Sequence, residues 1–404
     1  MRTQIASPLA QTAAGAVAES VLRACVHCGM CNAACPTYRL TGDELDGPRG
    51  RIYLMKQALE GEVAGRLTQH HLDRCLACRA CESACPSGVE YHRLLDIGRP
   101  LIAERTRRPW IDRLARAAVR HVVLAPYHLV ALFAIGRLVR FALPRALADK
   151  VPAKTPVGRR PTGNHTRRML VLGGCVQSAA APHFDAALAR VFDAAGIAVQ
   201  STSGCCGALS FHLDASEESR RLARSHIDAW TVALDTGAEA IVCSATGCAA
   251  FIRDWPDLLA DDPAYAGKAR RVAAALRDPV EVLAAAPLNP TSSPARPRIA
   301  VHDPCTLRNG PGLAGAVEIL LARLGYRPEP VADADQCCGS AGAYSLLQPD
   351  FAKALRTRKI SALTQNAPDA IYTANIGCWM HLAAVSPVPV RHWIEAVDDL
   401  ISSP

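Results

Sequence analysis

Cys25, Cys28, Cys31 and Cys35, the last followed by Pro36, follow a C-x2-C-x2-C-x3-C-P spacing that returns unchanged at Cys75, Cys78, Cys81, Cys85 and Pro86. Three thiolates so spaced wrap one face of an iron–sulfur cube from a single loop, and the fourth, before a proline, ligates the other cube of a two-cluster, ferredoxin-type module. The expected ligand sets are therefore Cys25, Cys28, Cys31 with Cys85, and Cys75, Cys78, Cys81 with Cys35. Crossed ligation holds two cubes close together, which suits electron relay. Zinc is the alternative, because C-x2-C pairs also bind zinc. Two identical four-cysteine runs, each closed by Cys-Pro, favour the cubes.

A second constellation lies downstream. Cys175, the run Cys205-Cys206-Gly207 and Cys248 recur as Cys305, Cys337-Cys338-Gly339 and Cys378, so one unit is duplicated. Cys243 belongs to the first copy alone, and Thr373 stands at the matching place in the second. The sets Cys175, Cys205, Cys206, Cys243, Cys248 and Cys305, Cys337, Cys338, Cys378 are candidates for additional metal sites. The plainer alternative is an inherited loop with redox-capable or merely buried thiols. A Cys205 to Cys206 disulfide is disfavoured, since adjacent residues meet disulfide geometry only with strain. No G-x-G-x-x-G opens a helix, so no flavin or nicotinamide fingerprint is present. His183, His212, His302 and His392 are scattered and read as structural; only His302, in His302-Asp303-Pro304-Cys305, adjoins a candidate site. No catalytic residue is assigned, and the expectation is a chain that conducts electrons for a partner carrying the oxidation chemistry.

These residues need elements to hold them, and 404 residues exceed what one core usually spans. The fold class expected is α+β and multidomain: a mainly helical module with two 4Fe-4S clusters over residues 1–102, a basic amphipathic connector over 103–165, and two tandem α/β cysteine-rich units over 166–290 and 297–404. Residues 1–20 read as a short helix or a loose tail. Pro48 suits the first turn of a helix, and Arg49 and Arg51 stand where they could offset cluster charge. Tyr91 to Ile102 continues as a helix over the cubes. Each cysteine-rich unit opens on an apolar strand, Met169 to Leu172 or Arg298 to Val301, that runs to its first cysteine. Helices such as Phe184 to Ala195 and Ala314 to Leu324 follow, and a second strand leads to Cys-Cys-Gly. A third strand, Ala240 to Val242 or Ala370 to Tyr372, runs towards the last cysteine. Such alternation places sites on loops at strand ends. The stretch 150–168 reads as a linker, and the proline-rich seam 287–297 divides the units.

The connector is rich in arginine interleaved with aromatic and aliphatic residues. Its longest uncharged run, Val122 to Gly136, falls short of the ~20 residues that span a bilayer. It reads either as helices packed on the cluster module or as a basic amphipathic surface on a membrane or quinone route, with Arg113, Arg116 and Arg120 meeting the lipid. Met1 to Ala18 lacks a basic stretch followed by an apolar one, so nothing points to secretion, and the 17 cysteines read as cytosolic metal ligands. The formal charge of +8 counts cysteine as neutral. Two oxidised cubes with their thiolates lower it to about +4, too mild to argue for nucleic acid.

The runs Cys25 to Tyr38, Gly42 to Lys56 and His71 to Arg99 resemble the iron–sulfur subunit of bacterial glycolate oxidase (glycolate dehydrogenase), and the resemblance extends over the whole chain. It implies the electron-transfer subunit of an oxidoreductase that turns glycolate into glyoxylate, with other 2-hydroxy acids such as D-lactate as further candidates. It implies two flavoprotein-type partner subunits, a quinone or other membrane electron acceptor, and a cytoplasmic place at the inner face of the cell membrane, held peripherally. The duplicated units resemble the cysteine-rich CCG domain shared with the membrane-anchoring subunit of anaerobic glycerol-3-phosphate dehydrogenase and with a heterodisulfide reductase subunit. In the latter, a C…CCG…C-x2-C pattern binds a non-cubane cluster. Here four residues separate Cys243 from Cys248, and Thr373 replaces a cysteine, so two 4Fe-4S clusters are expected and a non-cubane one is left open. The alternatives are a lactate, glycerol-3-phosphate or heterodisulfide oxidoreductase subunit and, in a different class, an iron–sulfur or zinc sensor or scaffold.

Overall fold

A computed structural model of the chain describes residues 1–144, 148, 150–288 and 297–402. Helix Ala13–Ala24 opens the helical part, its first turn capped by Thr12 Oγ1, which accepts the Gly15 N–H at 3.0 Å. The residues before it are not a loose tail. The Met1 ammonium donates to the carbonyls of Leu22 (3.1 Å) and Cys25 (2.8 Å), and Ile5 is buried. Helices Pro48–Leu59 and Tyr91–Arg105 close on this first helix over Leu22, Met55, Leu59, Leu94 and Leu95, all fully buried. Pro48 takes the first turn of its helix, where a missing N–H costs no bond. The cysteines themselves sit on much shorter pieces: Met30–Ala34, Pro36–Thr41 and Ala80–Ser83.

The remainder forms two four-stranded, all-parallel sheets. In the first, β1 (Arg167–Gly174), β2 (Ile197–Gly204), β3 (Ala240–Val242) and β4 (Leu276–Arg277) lie in the order β2-β1-β3-β4. In the second, β5 (Arg298–His302), β6 (Arg327–Pro328), β7 (Ala370–Thr373) and β8 (Val390–His392) repeat that order. Met169 pairs with Ala240, and Ile299 with Ala370, so the central pairs match in both repeats. Because the order reverses between β1 and β3, a crevice opens at their carboxyl ends, where such sheets place ligands. Cys175 follows β1 directly and Cys243 follows β3 directly.

The structure departs from the sequence reading at three places in the sheets. The edge strands β4 and β8 have no counterpart in it. The second strand of the second repeat is only two residues long and does not run into Cys337; Pro328 and Pro330 beside it lack the N–H groups a ladder needs. The two repeats pack against each other. Helix Pro182–Ala194 packs on helix Trp393–Ser402, and Val191 and Phe192 share one core with Trp393 and Val397. Residues 289–296 of the proline-rich seam lie outside the described residues.

The connector forms helices Trp110–Leu124 and Pro126–Leu138, and no single helix among the described residues is long and apolar enough to cross a membrane. Leu129 and Phe133 bury themselves in the core of the first repeat. Two of the three arginines expected at lipid face inward instead. Arg116 is buried among Asp73, Asp112 and Asp214, and Arg120 reaches Glu218 at 3.5 Å; only Arg113 is exposed. A buried guanidinium needs carboxylate partners, and Asp112 on the same helix with Asp73 and Asp214 from other elements supplies them.

Candidate metal centres

The two cysteine runs fold into loops of the same shape. His27 and Gly29 in the first, and Ala77 and Arg79 in the second, hold left-handed backbone at φ of 58°, 84°, 51° and 59°. Three of the four are not glycine, so the chain accepts local strain to bend between successive cysteines. The bend turns amides onto sulfur, as where Ala77 N–H donates to Cys75 Sγ at 3.5 Å.

Cys25, Cys28, Cys31 and Cys85 line one cavity, and Cys35, Cys75, Cys78 and Cys81 line a second. Pro48, Cys81 and Tyr91 line both, so the cavities adjoin. Burial raises the thiol pKa values of Cys25, Cys78 and Cys81 and pushes Cys31 to about 11. Without a metal these thiols hold their protons; a bound cation reverses that preference, because ligation requires thiolate.

Cations attend both cavities. Arg49 lies against Gly29 of the first loop, paired with Glu44 at 2.6 Å. Arg51 is 1% exposed and brings Nη1 to 3.9 Å from Cys35 Sγ, while Nε donates to His71 O (2.8 Å) and Nη2 to Thr37 Oγ1 (3.1 Å). Asp46, fully buried, accepts from Arg74 (2.7 Å) and bonds His71 Nδ1 (2.8 Å), with Arg51 at 3.7 Å. Tyr91 OH donates to Cys75 Sγ at 3.7 Å. Eight soft donors in two groups of four, the second with N–H, O–H and guanidinium donors on its sulfurs, suit iron–sulfur cubes.

The downstream cysteines also gather. In the second repeat thiol contacts run from Cys305 to Cys337, Cys338 and Cys378 in turn, the last two sulfurs 3.3 Å apart. His302 stands within 4.8 Å of the sulfurs of Cys338 and Cys378 and bonds Thr373 Oγ1 at 2.9 Å. In the first repeat the contacts run from Cys175 to Cys205, Cys206, Cys248 and Cys243. Hydrogen bonds from the Cys175 and Cys206 thiols, with Gly207 N–H, hold the Cys205 pKa low. The Cys-Cys-Gly glycines are conformational necessities. Gly207 and Gly339 have φ of +92° and +89°, and a Cβ would lie 2.8 Å from Ser219 Oγ in one and from Ala352 O in the other.

His183 meets Phe184 edge-on and His392 lies tilted against it while bonding Ser244 O, next to Cys243, at 3.2 Å; His212 borders a third cavity. That cavity also touches Cys78, Asp96 and Cys305. The second cysteine loop is clamped there. Asn309 Nδ2 donates to Cys78 O (2.7 Å), Tyr344 OH to Arg74 O (3.1 Å), Arg79 pairs with Asp254, and Cys78 packs beside Cys305 and Cys337. The sequence reading missed these clamps, since Asn309 and Tyr344 stand more than 200 positions from their partners. The first loop, in contrast, leaves Val26, Cys28 and Met30 exposed.

Residues 21–89 match the family model for a 4Fe-4S dicluster domain, and residues 169–253 and 299–383 match that for a cysteine-rich domain. The chain is 48% identical over 404 residues to the glycolate oxidase iron-sulfur subunit of Escherichia coli K12, covering 99% of each chain. It is 29% identical over 397 residues to the probable glycolate oxidase iron-sulfur subunit of Bacillus subtilis 168, covering 90% of this chain and 89% of that one. It is 25% identical over 208 residues to lactate utilization protein A of an Exiguobacterium species, covering 48% of this chain and 81% of that one.

Proposed function

Since the chain belongs to the family of glycolate oxidase iron-sulfur subunits, we propose that it is the electron-transfer subunit of a complex that oxidises glycolate to glyoxylate. The observation that carries this reading is the pair of adjoining cysteine-lined cavities that together gather all eight cysteines. Cys25, Cys28, Cys31 and Cys85 hold one 4Fe-4S cluster, and Cys75, Cys78, Cys81 and Cys35 the other. Such clusters take up and release single electrons, dividing the two that glycolate yields. Arg51 and Tyr91 stabilise charge on the second cluster's sulfurs, while the short helices exclude water. The chain divides into the cluster module 1–102, the connector 103–165 and the cysteine-rich domains 166–290 and 297–404. Exposure of Val26, Cys28 and Met30 makes the first cluster the entry from two flavoprotein-type subunits. The clamp on the second loop makes the cysteine-rich domains the acceptor-side platform, facing a quinone. The complex sits peripherally on the inner face of the cell membrane.

Anaerobic mixing of the purified complex with glycolate, and separately with D-lactate, tests the reading. Bleaching of the iron–sulfur absorbance by glycolate, with recovery on adding quinone, is expected; bleaching by D-lactate alone would transfer the role to a lactate oxidoreductase. A second reading rests on the 3.3 Å approach of Cys338 and Cys378, with Cys337 and Cys305 of the same group packed beside Cys78: a further cluster in the cysteine-rich domains. Two cubes need about eight iron and eight sulfide per chain, and each further cluster adds about four. A count near twelve that falls when Cys337 and Cys338 are replaced by Ser would establish it.

A further inference from the structure

Helices Trp110–Leu124 and Pro126–Leu138 meet at 96°, so they do not form one rod. Leu129 and Phe133 anchor the second helix in the first repeat, and Arg116 and Arg120 tie the first helix to carboxylates. Much of what remains is apolar and uncovered: Trp110 is 71% exposed, Tyr127 86% and Phe141 92%, with Leu114, Leu132 and Ile135 between them. The exposed charges among these residues have one sign. Arg107, Arg113 and Arg140 are exposed, whereas the sole carboxylate between residues 105 and 144, Asp112, is bound by Arg108 and Arg116.

We propose that this bent helix pair is a lipid-binding face that lies in the headgroup layer of an anionic bilayer. The charge pattern selects that occupant. An amphipathic surface with aromatic and aliphatic side chains on one side and only arginine as free charge is attracted by anionic lipid and buries its apolar side a few ångströms deep. Trp110 and Tyr127 are of the types that settle at the headgroup level. This deepens the reading of peripheral membrane association and rests on it.

The test uses the full, cluster-loaded chain with vesicles of phosphatidylglycerol and, separately, of phosphatidylcholine. The wild type is expected to sediment with the anionic vesicles, weakly with the zwitterionic ones, and to be released by high salt. Arg113→Glu with Arg140→Glu, and separately Tyr127→Glu with Leu132→Glu, alter exposed residues. Each pair is expected to lower the anionic partition at least roughly tenfold, with cluster absorbance and circular dichroism unchanged. Wild type that ignores both vesicles, or variants that bind as wild type does, would overturn the proposal. Variants that bind vesicles normally but no longer co-purify with the partner subunits would assign the face to protein contact instead. Fractionation of the whole complex separates the two claims. If it stays with membranes in the variants, peripheral association stands and this face is not its cause. If even the wild-type complex is released at low salt while the chain binds vesicles, the face stands and the peripheral reading falls.

Discussion

Arg51 and Arg49 stand two positions apart at one helix start, and their sequence context does not distinguish them. Packing does: Arg49 pairs with Glu44 at the surface, while Arg51 is enclosed with Cys35, Thr37 and Asp46. A buried cation so placed favours the reduced, more negative state of a cluster held by Cys35. Arg51→Met should therefore lower that cluster's reduction potential and, by leaving His71 O and Thr37 Oγ1 without their buried donor, cost about 1–3 kcal/mol of stability. Arg51→Lys should restore most of the potential but not the stability, having no planar fork for three partners. Potentiometry followed by electron paramagnetic resonance checks both; an unmoved potential in Arg51→Met would remove the residue from the redox role. His392 gives a pH test. Its Nε2–H donates to Ser244 O (3.2 Å) and its Nδ1 accepts the Ile394 N–H (3.3 Å), which fixes a neutral ring, and burial lowers its pKa to about 4. The unfolded chain, with an ordinary histidine near 6.5, then binds more protons than the fold between those values. Stability from this group is complete above pH 6.5 and is lost as pH falls towards 4, roughly 2 kcal/mol of it by pH 5. Asp96 and Asp278, both pushed up to about 7 by burial, act oppositely over that range, so the wild-type profile alone is ambiguous. The informative quantity is the difference: His392→Gln should lose less stability than wild type between pH 7 and pH 5 in thermal melts.

Among the elements, helix Pro48–Leu59 shows why a glycine can be needed without unusual backbone. A Cβ on Gly50 would stand 2.2 Å from Glu44 O, in the turn that also carries Asp46. Gly50→Ala should gain ~1 kcal/mol of helix propensity yet lose more by pushing the helix off that turn, for a net destabilisation of about 1–3 kcal/mol in denaturant titration. A stabilised variant would mean that the turn yields freely. The same local physics sets what the sequence discloses. Strands β1, β3, β5 and β7 are apolar runs that end at a cysteine or within five residues of one, so their place was legible. The edge strands β4 and β8 are two and three residues long, too short to show any alternation, and owe their pairing to neighbours already in place. The eight N-terminal cysteines were legible as a candidate site because their spacing is a local property. Asn309 and Tyr344 were not, since they reach the second cysteine loop only after distant elements have packed.

Across the whole molecule, order has two separate sources. The repeats carry large side chains in continuous cores, with Trp230, Trp255 and Trp393 almost fully buried and helices of up to 20 residues. Around the cysteines the helices are four to six residues long, well under the ~12 that hold alone in water. Eight thiols gathered in two small spaces supply little apolar area, so ligation must provide much of what keeps those loops together. Anaerobic removal of iron with a chelator should therefore open residues 25–90 to protease first, while the fragment from β1 onward resists digestion. Tryptophan fluorescence reads the two parts apart, because residues 1–109 contain no tryptophan. Emission should stay blue-shifted as the iron–sulfur absorbance disappears, and should shift red only in a later, separate thermal transition. A red shift in step with the loss of absorbance would mean instead that the clamp of Asn309 and Tyr344 on the second loop makes the repeats depend on the metal as well.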